Sequence, residues 1–364
     1  MLNDREWKEF YFIDIFDIKG GFYNKKPPIE EKGTIPFLGA TENNNGITEF
    51  YSMKNIEKNS KTGSGVNEPL SKKIFQGNCI CVTNNGSVGY AYYQVAKFTC
   101  SHDVNPLYLK HHKLNRYIAL FLINAIEQQR VCFRYSRKWR PSRMVKSKIM
   151  LPINNDGNPD YAFMEQYIKE REYKLKQKYI DFITDCNDIG TELPSLKNKA
   201  WAAFNLKDLF YIIQRGKRLV REHQQTGTIP YVSSTAMNNG IDDFVSTKRT
   251  TREFSNCLTI ANSGSVGSSF YQPSKFIASD HITHLKNDNY TMYVYLFIAT
   301  MTKRMSEKYN FNREINDYRI SKEKILLPTT DEGNPDYEYM EQYVKALMLG
   351  KYKKYLEYQN CLTP

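Results

Sequence analysis

The side chains with the greatest chemical capacity occur twice, once in each half of the chain. His102-Asp103 and Asp280-His281 each place an imidazole beside a carboxylate, the parts of a general-base dyad. Their order is inverted between the two places, which would wreck a dyad's geometry, so hydrogen-bonded structural pairs are expected. Gly86-Ser87-Val88-Gly89 and Gly264-Ser265-Val266-Gly267 lack the lysine of a phosphate-binding loop and any following helix signal, so they read as tight turns between strands. The spaced acidic residues and Glu-x-Lys of a metal-dependent nuclease are not found. Seven cysteines without a Cys-x-x-Cys pair argue against a zinc site and a disulfide framework. Cys79 and Cys81 alternate with apolar residues, as small core groups on a strand do. No chemistry of the chain's own is evident, and no catalytic residue, metal or cofactor is expected on it.

One further signature needs weighing. Asn158-Pro159-Asp160-Tyr161 resembles the Asn-Pro-Pro-Tyr loop with which amino-group DNA methyltransferases grip a flipped base. Aspartate replaces the second proline, and no glycine-rich strand-to-helix loop for a methyl donor precedes it. The same run recurs at Asn334-Pro335-Asp336-Tyr337 before a second helical pattern, so Asp160 and Asp336 are expected to start helices.

These recurrences belong to a longer one. Trp7 to Phe16 is echoed by Trp201 to Phe210, Gly33-Thr34-Ile35-Pro36 by Gly227-Thr228-Ile229-Pro230, and Asn45-Gly46-Ile47 by Asn239-Gly240-Ile241, all at an offset of 194. Asn78-Cys79 returns as Asn256-Cys257 at 178, and Met164-Glu165-Gln166-Tyr167 as Met340 to Tyr343 at 176. Solenoid periods run only about 20 to 50 residues, so this is tandem duplication of a whole domain. A chain of 364 residues has room for two, each long enough to bury a core.

Within each copy the pattern is α+β: short alternating strands such as Cys79–Thr83, Tyr90–Tyr93 and Leu258–Ala261, turn-rich loops, and one apolar helix at Tyr117–Ile123 or Tyr293–Thr300. Those apolar runs fall well short of the ~20 residues of a membrane span. The charged start lacks the apolar core of a signal peptide, so a reducing cytoplasm is expected. After Leu151-Pro152 and Leu327-Pro328 a turn signal hands over to a helix of about 24 residues. The expected organisation is a globular domain at 1–152, a helix and linker at 153–190, a second domain at 191–328 and a second helix at 329–364. Met164, Ile168, Leu175, Tyr179 and Phe182 form a stripe on the first helix; Met340, Val344, Leu347, Met348, Tyr355 and Leu356 form one on the second. Neither helix has an evident partner in its own copy, so the stripes are expected to pair as a short antiparallel coiled coil.

Charge suggests the ligand. Lys plus Arg outnumber Asp plus Glu by 51 to 39, a net charge of +12, and such an excess favours a polyanion whose counterions are released on binding. The densest basic run holds Arg130, Arg134, Arg137, Lys138, Arg140, Arg143, Lys146 and Lys148 among Phe133, Tyr135 and Trp139. Its counterpart in the second copy holds Arg313 and Arg319, aligned with Arg137 and Arg143. Forked guanidinium donors suit phosphate or guanine. Lys25, Lys26, Asn43, Asn44, Asn84 and Asn85 in the first copy, and Lys217, Arg218, Asn238, Asn239, Asn262 and Ser263 in the second, are the further candidates for double-stranded DNA. The copies differ most in their loops: the first carries 16 extra residues around Met53 to Pro69. A shared scaffold with unlike loops implies one device reading two different things.

Two variable domains, each opening with an aromatic strand, ending in Leu-Pro and followed by a helix, resemble the specificity subunits of restriction and modification systems. The resemblance runs from Trp7 to about Tyr358 and rests on the order of Trp7-Lys8-x-Phe10, Ile35-Pro36, Ile229-Pro230, the Gly-Ser-Val-Gly turns and the terminal Leu-Pro. It implies two target-recognition domains, each reading half of a split DNA site. It also implies that the helices dock methyltransferase subunits, which would carry S-adenosylmethionine and Mg. The short helices and the Gly-Asn-Pro-Asp-Tyr lead-in look closer to the type IIB pattern, with fused methyltransferase-nuclease partners, than to type I. The competing expectation is a two-domain adaptor or inhibitor that grips an acidic protein without DNA sequence specificity.

Overall fold

The computed structural model describes residues 2–133, 137–186, 195–219, 224–246, 252–310 and 312–362. It divides into two compact units, 1–176 and 177–364.

The first unit contains strands β1 (Trp7–Tyr11), β2 (Phe16–Ile18), β3 (Ile35–Leu38), β4 (Ile47–Tyr51), β5 (Cys79–Thr83), β6 (Ala91–Gln94), β7 (Thr99–Cys100), β8 (Val104–Leu109) and β9 (Lys148–Pro152). Its helices are α1 (Phe12–Ile15), α2 (Met53–Lys58), α3 (Leu70–Lys73), α4 (Arg116–Glu127), α5 (Pro141–Met144) and α6 (Tyr161–Asp185). The strands form a four-stranded antiparallel sheet β2-β8-β5-β6, a three-stranded sheet β4-β3-β7 and a ribbon β1-β9. Within that set only β3 and β7 run parallel.

The second unit repeats the order. Its strands are β10 (Trp201–Asn205), β11 (Ile212–Arg215), β12 (Thr226–Val232), β13 (Ile241–Val245), β14 (Cys257–Ala261), β15 (Ser269–Gln272), β16 (Ile277–Ala278), β17 (Ile282–Lys286) and β18 (Lys324–Pro328). Its helices are α7 (Leu206–Leu209), α8 (Met292–Lys303), α9 (Asp317–Ser321) and α10 (Tyr337–Leu362). The sheets are β11-β17-β14-β15, β13-β12-β16 and β10-β18. Strand for strand, the repeated sequence makes a repeated fold; the helices α2 and α3 have no counterpart among the described residues of the second unit.

The repeated residues show why. Asn44, Asn45 and Gly46 all have positive φ, as do Asn238, Asn239 and Gly240, a run that asparagine and glycine tolerate best. Gly33 and Gly227 recur for space: a Cβ on either would lie 2.2 to 2.4 Å from the backbone of the strand beside it. Asn78 and Asn256 also have positive φ, and each Oδ1 accepts a hydrogen bond from a tyrosine hydroxyl, Tyr93 at 2.6 Å and Tyr271 at 2.9 Å. β5 and β14 are buried along their whole length, which their small and branched side chains permit in a central strand.

The amphipathic helix α4 lies on the four-stranded sheet, capped by Asn115, whose Oδ1 accepts from the backbone of Tyr117 and Ile118. Thr291 caps α8 in the same place. The long helices begin where expected: Asp160 Oδ1 accepts from Phe163 N and Asp336 Oδ1 from Tyr339 N, each at 2.9 Å.

Their stripes correct the expectation that each helix lacks a partner in its own copy. Met164 is buried in the core of the first unit with Ile168 packed beside it, and Met340 and Val344 are buried in the core of the second. The β9 ribbon delivers α6 directly onto α4, where Glu165 accepts from Asn115 at 2.7 Å and Glu172 from Arg116 at 2.6 Å. Glu341 accepts from Thr291 at 2.7 Å in the second unit. Further along each helix a face is left for other contacts: Leu175 and Leu347 are exposed. The end of α6, within the second unit, stacks Tyr179 on Tyr352 at 4.1 Å and sets Phe182 edge-on to Tyr352 at 5.2 Å, with Tyr355 edge-on to Tyr179 at 5.3 Å.

The second unit also buries a titratable group in its sheet. His284 on β17 lies under the Phe254 ring, with Nδ1 2.8 Å from the carbonyl of Gln214. Burial, aided by the charges of Lys286 and Arg252, pushes its pKa down to about 4 despite that hydrogen bond. As pH falls from the ordinary histidine value of about 6.5 toward 4, the unfolded chain therefore takes up a proton that the folded unit refuses, and stability declines. Thermal unfolding followed from neutral pH to about pH 5 should show a steeper fall for the wild type than for His284→Gln; equal slopes would contradict this placement of the imidazole.

Candidate nucleic-acid interface

Each unit gathers its turns around one buried asparagine. Asn84, directly after β5, is 5% exposed. Its backbone N–H donates to Asp103 O at 2.8 Å, and its Nδ2 donates to His102 O at 3.0 Å and Asn105 Oδ1 at 2.6 Å. Its carbonyl accepts from Trp139 N at 3.0 Å. Asn105 in turn donates to Lys19 O at 2.8 Å, and His102 N donates to Tyr23 O at 2.8 Å. One residue, through its backbone and its side chain, thus joins the Gly-Ser-Val-Gly turn, the turn before β8 and the basic run, and Asn105 links it to the segment after β2.

The second unit reproduces this with altered chemistry. Asn262, 1% exposed, donates its N–H to His281 O at 2.8 Å, accepts at its carbonyl from Ile315 N at 3.0 Å, and accepts at Oδ1 from Thr283 Oγ1 at 3.0 Å. Thr283 stands where the first unit has Asn105, and Ile315 where it has Trp139. Arg215 donates to Ile315 O at 3.1 Å and pairs with Asp317 at 2.8 Å.

Around each asparagine the basic segment is held open to solvent. The Trp139 ring is fully buried, stacked on Phe133 at 4.8 Å, with Nε1 donating to Ser147 Oγ at 2.9 Å. Over this floor the exposed Arg137 guanidinium lies 5.5 Å from the Phe133 ring. The aligned Arg313 lies 5.4 Å from Tyr309, the residue aligned with Phe133. Arg143 Nη1 donates to Lys138 O at 2.7 Å, and Arg319 Nη1 to Glu314 O at 2.5 Å, so each ties down the loop five residues upstream. An arginine held flat over an aromatic face keeps its forked edge free for phosphate or a base. Arg140 is exposed beside them, and Arg134 lies outside the described residues.

The sequence-derived candidates divide on burial. Lys25, Lys26, Asn43, Asn44, Lys217, Arg218 and Asn238 are exposed. Asn84, Asn262 and Ser263 are corrections: they are buried, with Asn84 Nδ2, Asn262 Oδ1 and Ser263 Oγ engaged inside the fold, Ser263 Oγ with His281 Nδ1 at 2.5 Å, while Asn262 Nδ2 meets no hydrogen-bond partner among the described residues. Asn239 is exposed, yet its amide is turned inward and donates to Tyr271 O at 3.1 Å. Asn85 is half-buried and donates to Asp103 Oδ1 at 3.0 Å. The two histidine–aspartate pairs differ as the inverted order requires, with His102 Nε2 3.3 Å from Asp103 and His281 Nε2 4.0 Å from Asp280. Sequence reading passed over Lys19 and Arg215, whose places depend on long-range hydrogen bonds. Among the described residues no group of three or more His, Cys, Asp or Glu could hold a metal ion, and no helix is long and apolar enough to cross a membrane.

Comparison with known proteins gives a consistent picture. The family model described as the type I restriction modification DNA specificity domain matches the chain twice, at residues 4–179 and 198–357. The chain is 30% identical over 351 residues, covering 95% of it and 96% of the relative, to S.BcgI of Heyndrickxia coagulans, the specificity subunit of a type II restriction enzyme. It is 21% identical over 262 residues to the putative type I specificity subunit S.MpnORF507P of Mycoplasma pneumoniae, covering 64% of this chain and 66% of that one. Among solved structures it is similar to the S subunit of a type I restriction-modification system from M. genitalium, at 16% identity and a TM-score of 0.40, covering 99% of this chain and 94% of that one.

The interface geometry generates one direct expectation. Arg143→Ala and Arg319→Ala should each weaken DNA binding in a titration, uniformly over sequences if the guanidinium meets phosphate; loss of a base contact would cost about 1 to 3 kcal/mol and relax one position. Wild-type affinity for both variants would place the contact elsewhere.

Proposed function

The chain belongs to the type I restriction modification DNA specificity family, and on that premise we propose that it is the non-catalytic DNA-recognition subunit of a restriction-modification enzyme. It recognises a bipartite, asymmetric DNA site and directs partner subunits to it. The observation that carries this reading is the duplicated scaffold with unlike surfaces: each unit holds arginine over an aromatic floor beside a buried asparagine, while the turns around that asparagine differ in residue and the loop between β4 and β5 is 16 residues longer than its counterpart between β13 and β14. The same scaffold positions; the different loops discriminate. An adaptor for an acidic protein is disfavoured, because two such unlike surfaces suit an asymmetric target.

The partners in this reading are methyltransferase subunits, fused to a nuclease in the type IIB manner, and they carry S-adenosylmethionine and Mg. Support for that finer assignment comes from the similarity to a type II specificity subunit over 95% of the chain and from the short helices of 25 and 26 residues. The exposed faces of those helices, which carry Leu175 and Leu347, are the surfaces proposed to pair as a short antiparallel coiled coil and to receive the partner. In this reading the complex acts on cellular DNA in the cytoplasm.

The test is an exchange. Residues 1–190 are replaced by the corresponding segment of another such subunit, and methylated bases are mapped in cells that express the partner. One half of the methylated motif should change while the other persists. Change in both halves or in neither would contradict the proposal.

A further inference from the structure

The first unit contains a segment that the second lacks, and it is built rather than loose. Between β4 and β5 the chain forms α2 and α3 around a buried amine. Lys73 is fully buried, and its Nζ donates to the carbonyls of Ile56 at 3.1 Å, Glu57 at 2.9 Å and Asn59 at 2.9 Å, and to Asn67 Oδ1 at 2.5 Å. Carbonyls at the C-terminal end of α2 are natural acceptors for a cation, since they have no partner in the helix. The buried Tyr23 hydroxyl adds a hydrogen bond to Ile56 O at 3.0 Å, and Glu30 holds the start of α2 through the Ser52 hydroxyl at 3.0 Å. A buried ammonium with four oxygen neighbours ties α2, the loop after it and α3 to one another, and the Tyr23 hydroxyl joins them to the rest of the unit.

The tip of this excursion meets the interface. Asn24 N and Lys25 N donate to Lys61 O at 3.0 and 3.2 Å, and a Cβ on Gly63 would lie 3.0 Å from Lys25 Cδ. Lys25 is two residues beyond Tyr23, whose carbonyl accepts from His102 N, and the His102 carbonyl accepts from Asn84. A continuous line of hydrogen bonds therefore runs from the buried asparagine to the tip. Thr62 to Val66 are exposed and carry no charge, with Lys25, Lys26, Lys54 and Lys58 exposed near the same segment. The Glu57 carboxylate belongs to this surface too and is exposed, while Lys26 lies 3.6 Å from Glu49.

We propose that residues 53–73 form a rigid wing that extends the DNA contact of the first unit beyond the shared core, with Lys25, Lys58 and Lys61 meeting phosphates and the Thr62–Gly65 tip approaching the duplex. Lys73 is its positioning residue and does not touch DNA. Ammonium groups set in a row by fixed backbone neutralise successive phosphates, and small residues at a tip permit close approach to the sugar-phosphate chain. The inference rests on the DNA-recognition reading above. It adds that the two half-sites differ in length as well as in sequence, the first being the longer.

The experiment uses the full chain with its methyltransferase partner and a duplex that the wild-type complex selects from a random library. Three variants are compared: residues 52–75 replaced by the shorter equivalent connection 246–253 of the second unit, Lys73→Met, and the surface triple change Lys25→Ala, Lys58→Ala and Lys61→Ala. The wing replacement should shorten backbone protection at one half-site by a few base pairs and leave the other unchanged. The triple change, which leaves the packing of the wing intact, should lower affinity by about tenfold or more at moderate salt and reduce the salt slope by roughly two to three. Lys73→Met should weaken the same half-site with its salt slope kept closer to wild type. Unchanged protection in the wing replacement, or unchanged affinity and slope in the triple variant, would overturn the wing while leaving recognition intact. Failure of the wild-type complex to select any sequence would overturn recognition and the wing together.

Discussion

A buried amide holds each reading surface together. Asn84 and Asn262 sit where a strand ends and three other segments must turn without regular pairing partners. Every backbone group left over at such a junction would cost free energy if buried unmet, so the fold places a compact polar residue there. Asparagine fills this place in both units: its backbone N–H binds the strand-end turn to the histidine turn and its carbonyl receives an amide of the basic segment, while the Asn84 side chain donates to His102 O and Asn105 and the Asn262 side chain accepts from Thr283. The arginines stand where they do because the chain beneath them is fixed. The neighbours of each asparagine, Asn105 against Thr283 and Trp139 against Ile315, are free to differ as long as the junction is satisfied.

This constraint explains why one fold supports two specificities. The sheets, the ribbon and the cap of each long helix are the same in both units, down to the aspartate at the helix start. What varies is the wing present in one unit, the different basic residues, the inverted histidine and aspartate, and the side chains that surround the asparagine. The chain assembles no catalytic constellation among its described residues. Its contribution is geometric and electrostatic, which suits a subunit that positions a catalyst borne by other chains.

Much of the fold was legible because the repeated residues mark backbone needs. Asn-Asn-Gly repeats where three successive positive φ angles occur, Gly33 and Gly227 repeat where strands pass too closely for a side chain, and Asn-Pro-Asp repeats where a helix begins. The interface was harder to read for a physical reason. Asparagine that braces a turn and asparagine that reads a base offer the same donors and acceptors, and only burial tells them apart; hence Asn84 and Asn262 look like contacts in sequence and are braces in the fold. The helix stripes misled similarly: Met164, Met340 and Val344 have coiled-coil spacing, but the strand before each helix delivers them onto their own domain. The wing was visible as an insertion and invisible as a rigid element, since the amine that fixes it bonds to backbone carbonyls that no sequence pattern announces.

The central claim is that one duplicated scaffold presents two unlike reading surfaces to a single DNA site. Its most direct test is selection of duplexes from a random library by the purified chain in complex with its partner. The account predicts enrichment of two short motifs that differ in sequence and are separated by one constant, unread spacer. A single uninterrupted motif, two identical half-motifs, or retention without sequence preference would contradict it.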